Sequence, residues 1–258
     1  TYYVISSVFV FKDGRKFDRI SKGFIRGENM DFRMFLHQFW NRLKDSFGVR
    51  KRIALTFDDG HKYADQILEK LEQYGVKSTF FLCGTYIRKN CDIYKKIYNA
   101  GYEIGNHSYA HPHMEELSEA EILTELNQTQ QLLDQITGGN EGLKLFRFPY
   151  GSKNGDVVRL VESQGFIPVT WTVDSRDWTE ISAEEICDNV IRSEHLEHGA
   201  IILMHTSGEH TLEALDLLIP QLRERGYEME KISELFQEIP RYRDMVNRIK
   251  AKGYYRWN

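Results

Sequence analysis

From residue 53 onward one pattern recurs: a short apolar run, then a stretch with apolar residues at helical spacing, often ending at a glycine. Apolar runs at 53–59, 78–84, 102–107, 145–149, 166–175, 200–205 and 227–232 predict seven strands. Between them lie helical patterns, among them YADQILEKLEQYG stopping at Gly75, IYKKIYNAG stopping at Gly101 and TLEALDLLIPQLRERG stopping at Gly226. Ser118 with Glu121, and Ser182 with Glu185, stand at the spacing of a capping box and start two more helices. Strands alternating with helices need crossover connections, which make the strands parallel and put the helices outside. The fold class is therefore α/β. An open doubly wound sheet is compatible, but the repetition fits a distorted or incomplete (β/α) TIM-like barrel of about seven parallel strands better.

In such barrels chemistry is built at the C-terminal ends of the strands. Here those ends carry Asp58–Asp59, Asn106–His107, Arg147 to Tyr150, Asp174 to Trp178, and His205. A merely solvated rim would scatter Lys, Glu, Ser and Asn there. Asp58 and Asp59 are adjacent carboxylates that repel, so a metal or an arginine is expected nearby; one can ligate while the other serves as base. Alone, Asp-Asp-Gly is also an ordinary turn. In NHSYAHPHM, residues 106–114, His107 and His111 are four apart on a strand-to-helix loop. Two imidazoles and a carboxylate form a common ligand set for a catalytic divalent ion. His113 lies beyond Pro112 and is read as a neighbour. Arg147, between two phenylalanines, supplies a cation for Asp58 or Asp59. His205 ends an apolar strand and suits a general acid if a carboxylate holds its other nitrogen; Asp177 is the candidate.

TFDDG, HSYAH, RFPYG, DSRDW and LMH, in that order, resemble the five motifs of the polysaccharide deacetylase family, the NodB-homology domain of carbohydrate esterases. The match covers roughly residues 51–236. The resemblance implies a distorted (β/α) barrel and metal-dependent removal of acetyl groups from carbohydrate. By position, Asp58 resembles the general base, Asp59, His107 and His111 the metal ligands, and Arg147 the residue orienting the base. The Tyr150 N–H resembles the oxyanion donor, and His205 the general acid tuned by Asp177. Trp178 and Leu203 resemble the apolar walls around the acetyl methyl, so substrate-binding falls to Tyr150, Trp178 and Leu203. His61 stands where proline or tyrosine is common, and Phe148 where proline is frequent. Both are expected near the substrate groove, which leaves substrate preference open.

The expected reaction is removal of N-acetyl groups from an N-acetylglucosamine polymer or oligomer, peptidoglycan or chitin-like. The alternatives are O-acetyl ester hydrolysis on a xylan-type chain and an inactive carbohydrate-binding domain. Zinc is the expected ion, with cobalt, nickel and manganese as alternatives. Tyr150 stands where relatives acting on N-acetylmuramic acid often carry arginine, which disfavours that sugar.

A net charge of −4 gives no reason to expect nucleic acid. No apolar run approaches the roughly 20 residues of a membrane span. The sequence starts at Thr1, as a processed or truncated chain would, so a removed leader or anchor would not show. Cys83, Cys91 and Cys187 have no CxxC spacing and read as buried thiols. The expected organisation is an N-terminal extension, 1–50, packing on the barrel, a deacetylase domain, 51–238, and a helical tail, 239–258. Within the extension, a hairpin turning at Asp13–Gly14 and an amphipathic helix over 31–45 are expected. A monomer is expected, and a secreted or cell-surface location follows from the substrate class alone.

Overall fold

Residues 11–12, 15–16, 51–139 and 142–251 are described by the computed structural model. The chain divides into two units, Thr1–Val49 and Arg50–Asn258. In the first, β1 (Phe11–Lys12) pairs antiparallel with β2 (Arg15–Lys16), with Phe11 opposite Lys16 and Lys12 opposite Arg15. That pairing brackets the expected turn. The helix expected over 31–45, and the expected packing of 1–50 on the barrel, lie outside the described residues.

The second unit is built on β3 (Lys51–Asp59), β4 (Thr79–Leu82), β5 (Glu103–Asn106) and β6 (Leu145–Phe146). It continues through β7 (Ile167–Pro168), β8 (Val173–Asp174), β9 (Ile201–His205) and β10 (Tyr227–Met229). The strands run parallel in the order β7-β6-β5-β4-β3-β9-β8, and β10 lies against the first residues of β3.

The single strand expected over 166–175 is two pieces. β7 pairs with β6 at one edge of the sheet and β8 with β9 at the other. This segment therefore curls the sheet toward closure without a continuous ladder. Pro168 has no N–H to give a ladder, consistent with pairing stopping there.

The connecting helices are α1 (Ala64–Tyr74), α2 (Gly84–Lys89), α3 (Cys91–Asn99), α4 (Glu119–Thr137), α5 (Gly155–Ser163), α6 (Ala183–Ile191) and α7 (Thr211–Glu224). Both expected capping boxes form, at Ser118–Glu121 and Ser182–Glu185. Gly75 ends α1 at φ 60°, the left-handed geometry that favours glycine. The helix expected through IYKKIYNAG is preceded by α2, separated from α3 at Asn90. Two further helices, α8 (Ile232–Glu238) and α9 (Pro240–Ala251), close the chain. α8 differs from the sequence expectation, which ends the last strand at residue 232; the strand stops at Met229 and the helix starts at Ile232.

Successive side chains of a strand point to opposite faces. Ile53, Leu55 and Phe57 accordingly join the core shared with α1, α3, α6 and α7, while Ala54 joins Phe81, Leu145, Ile167 and Ile201 inside the curl. The inner core is extended by Leu235 and Phe236 of α8 and Val246 and Ile249 of α9. α8 begins at the N-terminal strand ends, where the Ile232 N–H donates to Thr79 Oγ1 and the Ser233 N–H to Glu103. The C-terminal helix is thus packed on the domain as far as Ile249; residues 252–258 lie outside the description. The next inward positions along β3 are polar, Thr56 and Asp58, and the β3–β9 register sets Thr56 beside Leu203 and Asp58 beside His205. One end of the curl is filled with hydrocarbon and the other with groups capable of chemistry.

Candidate active site

Asp58 is 2 % exposed, and Arg147 is completely buried. Arg147 Nη1 donates to Asp58 Oδ1 and to Thr56 Oγ1, both at 2.7 Å, and its Nε to the Val169 carbonyl at 3.4 Å. Its guanidinium lies 4.1 Å from the Phe81 ring centroid. Of the two carboxylates, Asp58 is thus the one that takes the arginine. Burial raises the Asp58 carboxyl above its usual range; the Arg147 charge and hydrogen bond pull the other way without cancelling it.

Asp59 is more open. Its φ of 78° turns the chain out of β3, and Gly60 follows at φ 86°. This turn is tied to β9 by Thr206. The Gly60 and His61 N–H groups donate to Thr206 Oγ1 at 3.0 and 2.6 Å, and the Thr206 N–H donates to the Asp58 carbonyl at 3.1 Å.

The histidine loop is held just as closely. Asn106 donates to the Leu126 carbonyl of α4 and accepts from the Ser108 N–H. Ser108 Oγ accepts from the His111 N–H at 3.0 Å. One oxygen of Glu125, on α4, accepts from the Tyr109 and Ala110 N–H groups, both at 2.8 Å. From the other side, the Gly84 and Thr85 N–H groups donate to the Ser108 and Tyr109 carbonyls. A Cβ on Gly84 would stand 2.3 Å from the Tyr109 ring, so only glycine lets the loop approach this closely.

These restraints bring Asp59, His107 and His111 together, with one donor atom from each within 4.8 Å of the others. His107 Nε2 and His111 Nε2 stand 3.8 and 3.6 Å from Asp59 Oδ1. Donors about 2.1 Å from a tetrahedral ion stand roughly 3.4 Å apart, so the spacing fits. The tautomer fits as well. His107 Nδ1 is 2.8 Å from the Arg147 carbonyl, which only accepts, so Nδ1 carries the hydrogen and Nε2 offers its lone pair. Burial pushes His107 down to about 3 and also lowers His111, leaving both rings neutral and able to ligate. His113 is outside this set. It stacks on Tyr150 at 4.2 Å between ring centroids and lies 3.8 Å from Glu115.

Beside Asp58, His205 Nδ1 pairs with Asp177 Oδ1 at 2.8 Å. Asp177, 1 % exposed, also accepts from the His205 N–H and Thr211 Oγ1, each at 2.7 Å. Burial alone would lower His205, but the Asp177 hydrogen bond and charge outweigh it and hold the ring at about 9. Tyr150 and Trp178 stand at the rim, both 61 % exposed, with the Tyr150 ring 4.4 Å from His111. Leu203 is buried on β9.

Phe148 departs from expectation: it is not at a groove. It is buried in a core with Met114, Leu126, Phe146 and Phe166, so it bears on packing rather than substrate choice. The cysteines are free; Cys83 and Cys187 are buried and Cys91 is partly so.

Among the described residues, the non-glycine positions with positive φ are Asp59, Ser108, His111, Tyr150 and Arg176. All lie at strand ends around this site. Such backbone is costly for a side-chain-bearing residue and persists where the surroundings enforce it. Sequence reasoning missed Thr56, Thr206, Ser108 and Glu125. Their signal is a tertiary hydrogen bond, which no local spacing announces.

A polysaccharide deacetylase family model matches residues 48–169. A peptidoglycan-N-acetylglucosamine deacetylase of Bacillus cereus is 37% identical over 194 residues, covering 73% of this chain and 69% of that protein. Among solved structures, the Bc1960 peptidoglycan N-acetylglucosamine deacetylase superposes with a TM-score of 0.68 at 36% identity, over 73% of this chain and 89% of its own. BA3943 from Bacillus anthracis, a CE4 family pseudoenzyme, gives 0.67 at 37% identity over 72% and 65%. With sequence identity, coverage and the curled parallel sheet in agreement, this chain belongs to the polysaccharide deacetylase family.

Proposed function

We propose that the protein is a metal-dependent hydrolase that removes N-acetyl groups from N-acetylglucosamine in a peptidoglycan-type polysaccharide, carried by the domain at residues 51–238. The observation that carries the reading is the pair of buried acid–base couples, Asp58–Arg147 and His205–Asp177, set side by side by the β3–β9 register next to the Asp59, His107 and His111 donors. The named activity of the Bacillus cereus relative agrees.

Bound by Asp59, His107 and His111, a divalent ion, zinc by the donor set, supplies Lewis acidity and a water of lowered pKa. The remaining work belongs to side chains and backbone. Arg147 holds Asp58 Oδ1, which leaves Oδ2 to take the proton of the attacking water. Burial makes Asp58 a stronger base for that transfer. The Tyr150 N–H donates to the carbonyl oxygen as it gains charge. His205 is protonated, and Asp177 occupies its Nδ1, so its Nε2 proton goes to the departing nitrogen. Trp178 and Leu203 bound the acetyl methyl. The products are acetate and a free amino sugar. An amide nitrogen leaves poorly without a proton, so an intact His205–Asp177 couple favours the amide over an O-acetyl ester. The base, the acid and all three candidate ligands are present, which favours catalysis over a purely binding role.

The substrate class places this action at the cell wall, and no helix among the described residues is long and apolar enough to cross a membrane. The test is to incubate zinc-loaded protein with N-acetylglucosamine oligomers and with acetylated xylan, scoring acetate and primary amine together. Acetate matched by amine from the oligomers is expected. Acetate from xylan alone would move the assignment to an ester hydrolase.

A further inference from the structure

A cavity of about 290 Å³ has Gly60, His61, Lys62, Tyr86, Lys89 and Tyr94 in its wall, beginning one residue after the candidate ligand Asp59. That is near the lower end, roughly 300 Å³, of sites that take small molecules. The mechanism does not use it, yet it shares a turn with the site. Its wall begins at the residue after Asp59, and α2 enters it from Cys83, whose N–H donates to the Asp59 carbonyl at 3.0 Å.

The wall is rigid where it meets the site. Thr206 holds the Gly60 and His61 N–H groups, and Tyr94 Oη donates to the Gly60 carbonyl. His61 meets Tyr86 edge-on at 4.9 Å between ring centroids. His61 is also the position where this sequence departs from the commonest first motif.

Two lysines face one aspartate in the wall. Lys62 Nζ lies 4.4 Å from the Tyr63 ring centroid, and Lys89 Nζ 5.3 Å from that of Tyr86. Lys62 is also held by a hydrogen bond with Tyr63 and feels the Glu209 carboxylate, but an ammonium group carries three N–H donors and a ring face accepts only weakly, so donors stay available to an anion. Among the described residues neither lysine has a carboxylate within 4.0 Å, whereas Asp65, the acid in the wall, is paired with Lys96 at 2.6 Å. In a chain of net charge −4 this leaves a local pocket of positive charge lined by aromatic rings. Rings suit the faces of sugars and ammonium groups suit a carboxylate.

We propose that this cavity is a subsite for a carboxylate-bearing substituent on the sugar next to the one deacetylated, and that it selects peptidoglycan-type chains over chitin-type ones. The inference rests on the deacetylase reading above. In peptidoglycan every second sugar carries a lactyl ether, whose carboxyl group is either free or extended by a peptide with carboxylates of its own. Chitin has neither.

The test compares kcat/KM of the zinc-loaded protein on three tetrasaccharides: neutral N-acetylglucosamine, an alternating chain with free lactyl carboxylates, and the same chain with stem peptides. A preference of about tenfold for a charged chain is expected, the size of two exposed ion pairs. It should sit mainly in KM and fall with added salt. The charged chain that gains more identifies the source of the carboxylate. In the Lys62→Met/Lys89→Met variant the charged-to-neutral ratio should collapse toward one. Equal kcat/KM on all three chains, or a ratio that survives in the variant, overturns the proposal. If no chain releases acetate, the deacetylase reading has failed. Affinities of the same chains for Asp58→Asn protein then decide the subsite, and equal affinity for charged and neutral chains overturns it.

Discussion

Arg147→Met isolates the interaction on which the proposed base depends. The variant keeps most of the side chain's length and removes the donors to Asp58 Oδ1, Thr56 Oγ1 and the Val169 carbonyl. Asp58, 2 % exposed in the wild type, loses its arginine partner. Breaking one side of a buried ion pair costs about 3–5 kcal/mol, because the remaining charge is neither hydrated nor paired. For a unit the size of Arg50–Asn258, each kcal/mol shifts Tm by about 2–4 °C, so a fall of roughly 6–20 °C is expected. Asp58 has a way to reduce this penalty, which is to take up a proton. Burial already raises its carboxyl, and Arg147 is the largest influence opposing that rise. Without Arg147 the folded-state pKa climbs further above the unfolded value. The native state then binds more protons than the unfolded state, so stability falls as pH rises. The destabilisation should be smallest near pH 4–5 and grow toward pH 8. The acid limb of kcat/KM should move to higher pH in step. Calorimetry at several pH values, with Asp58→Asn and the double variant completing a cycle, measures all of this. A loss below about 1 kcal/mol that does not vary with pH, or additivity in the cycle, would refute the reasoning.

Three further outcomes follow from the same geometry. Asp177→Asn removes the largest of the interactions that hold His205 at about 9, leaving burial, which lowers it, opposed only by the charges of Asp58 and Asp59. The alkaline limb of kcat/KM should therefore drop by more than about one pH unit. In the wild type, the stability from this raised histidine is fully present below its unfolded pKa of about 6.5 and is lost as pH rises through about 9; thermal melts of the Asp177→Asn variant should lack that slope. Glu125→Ala frees the Tyr109 and Ala110 N–H groups and slackens the histidine loop. It should weaken zinc binding about tenfold, read by competition with a chelating dye, and an unchanged Kd would show that the loop is set elsewhere. Gly84→Ala drives a Cβ to 2.3 Å from the Tyr109 ring and 2.7 Å from Thr129 Oγ1. It should cost about 1–3 kcal/mol by urea unfolding and weaken zinc binding as well.

The strand-end residues were legible because a barrel confines chemistry to one rim, and a period of two assigns each strand residue to a face. The helix starts at Ser118 and Ser182 were legible because a capping box is a local hydrogen-bond pair. What stayed hidden is tertiary. Residues 166–175 read as one apolar strand, since the pattern records burial and not which edge of the sheet each half joins. Phe148 sits between Arg147 and Pro149 in a motif, and nothing in that spacing shows that its ring turns into a core with Phe146 and Phe166. Thr206 clamps the Asp59 turn from a position 147 residues after Asp59 (206 − 59), and its neighbours in sequence give no hint of that role. The choice between Asp58 and Asp59 for Arg147 was hidden too: adjacent strand residues face opposite ways, and only the fold shows on which face Arg147 lies.

Under the proposed function adjacent carboxylates divide the labour, with Asp59 on the metal and Asp58 free to accept a proton. The most direct measurement is an anomalous difference map from crystals of the zinc-loaded protein. One peak is expected about 2.0–2.2 Å from Asp59, His107 Nε2 and His111 Nε2, with Asp58 still on Arg147. A peak that takes Asp58 in place of Asp59, or His113 in place of either histidine, would contradict it.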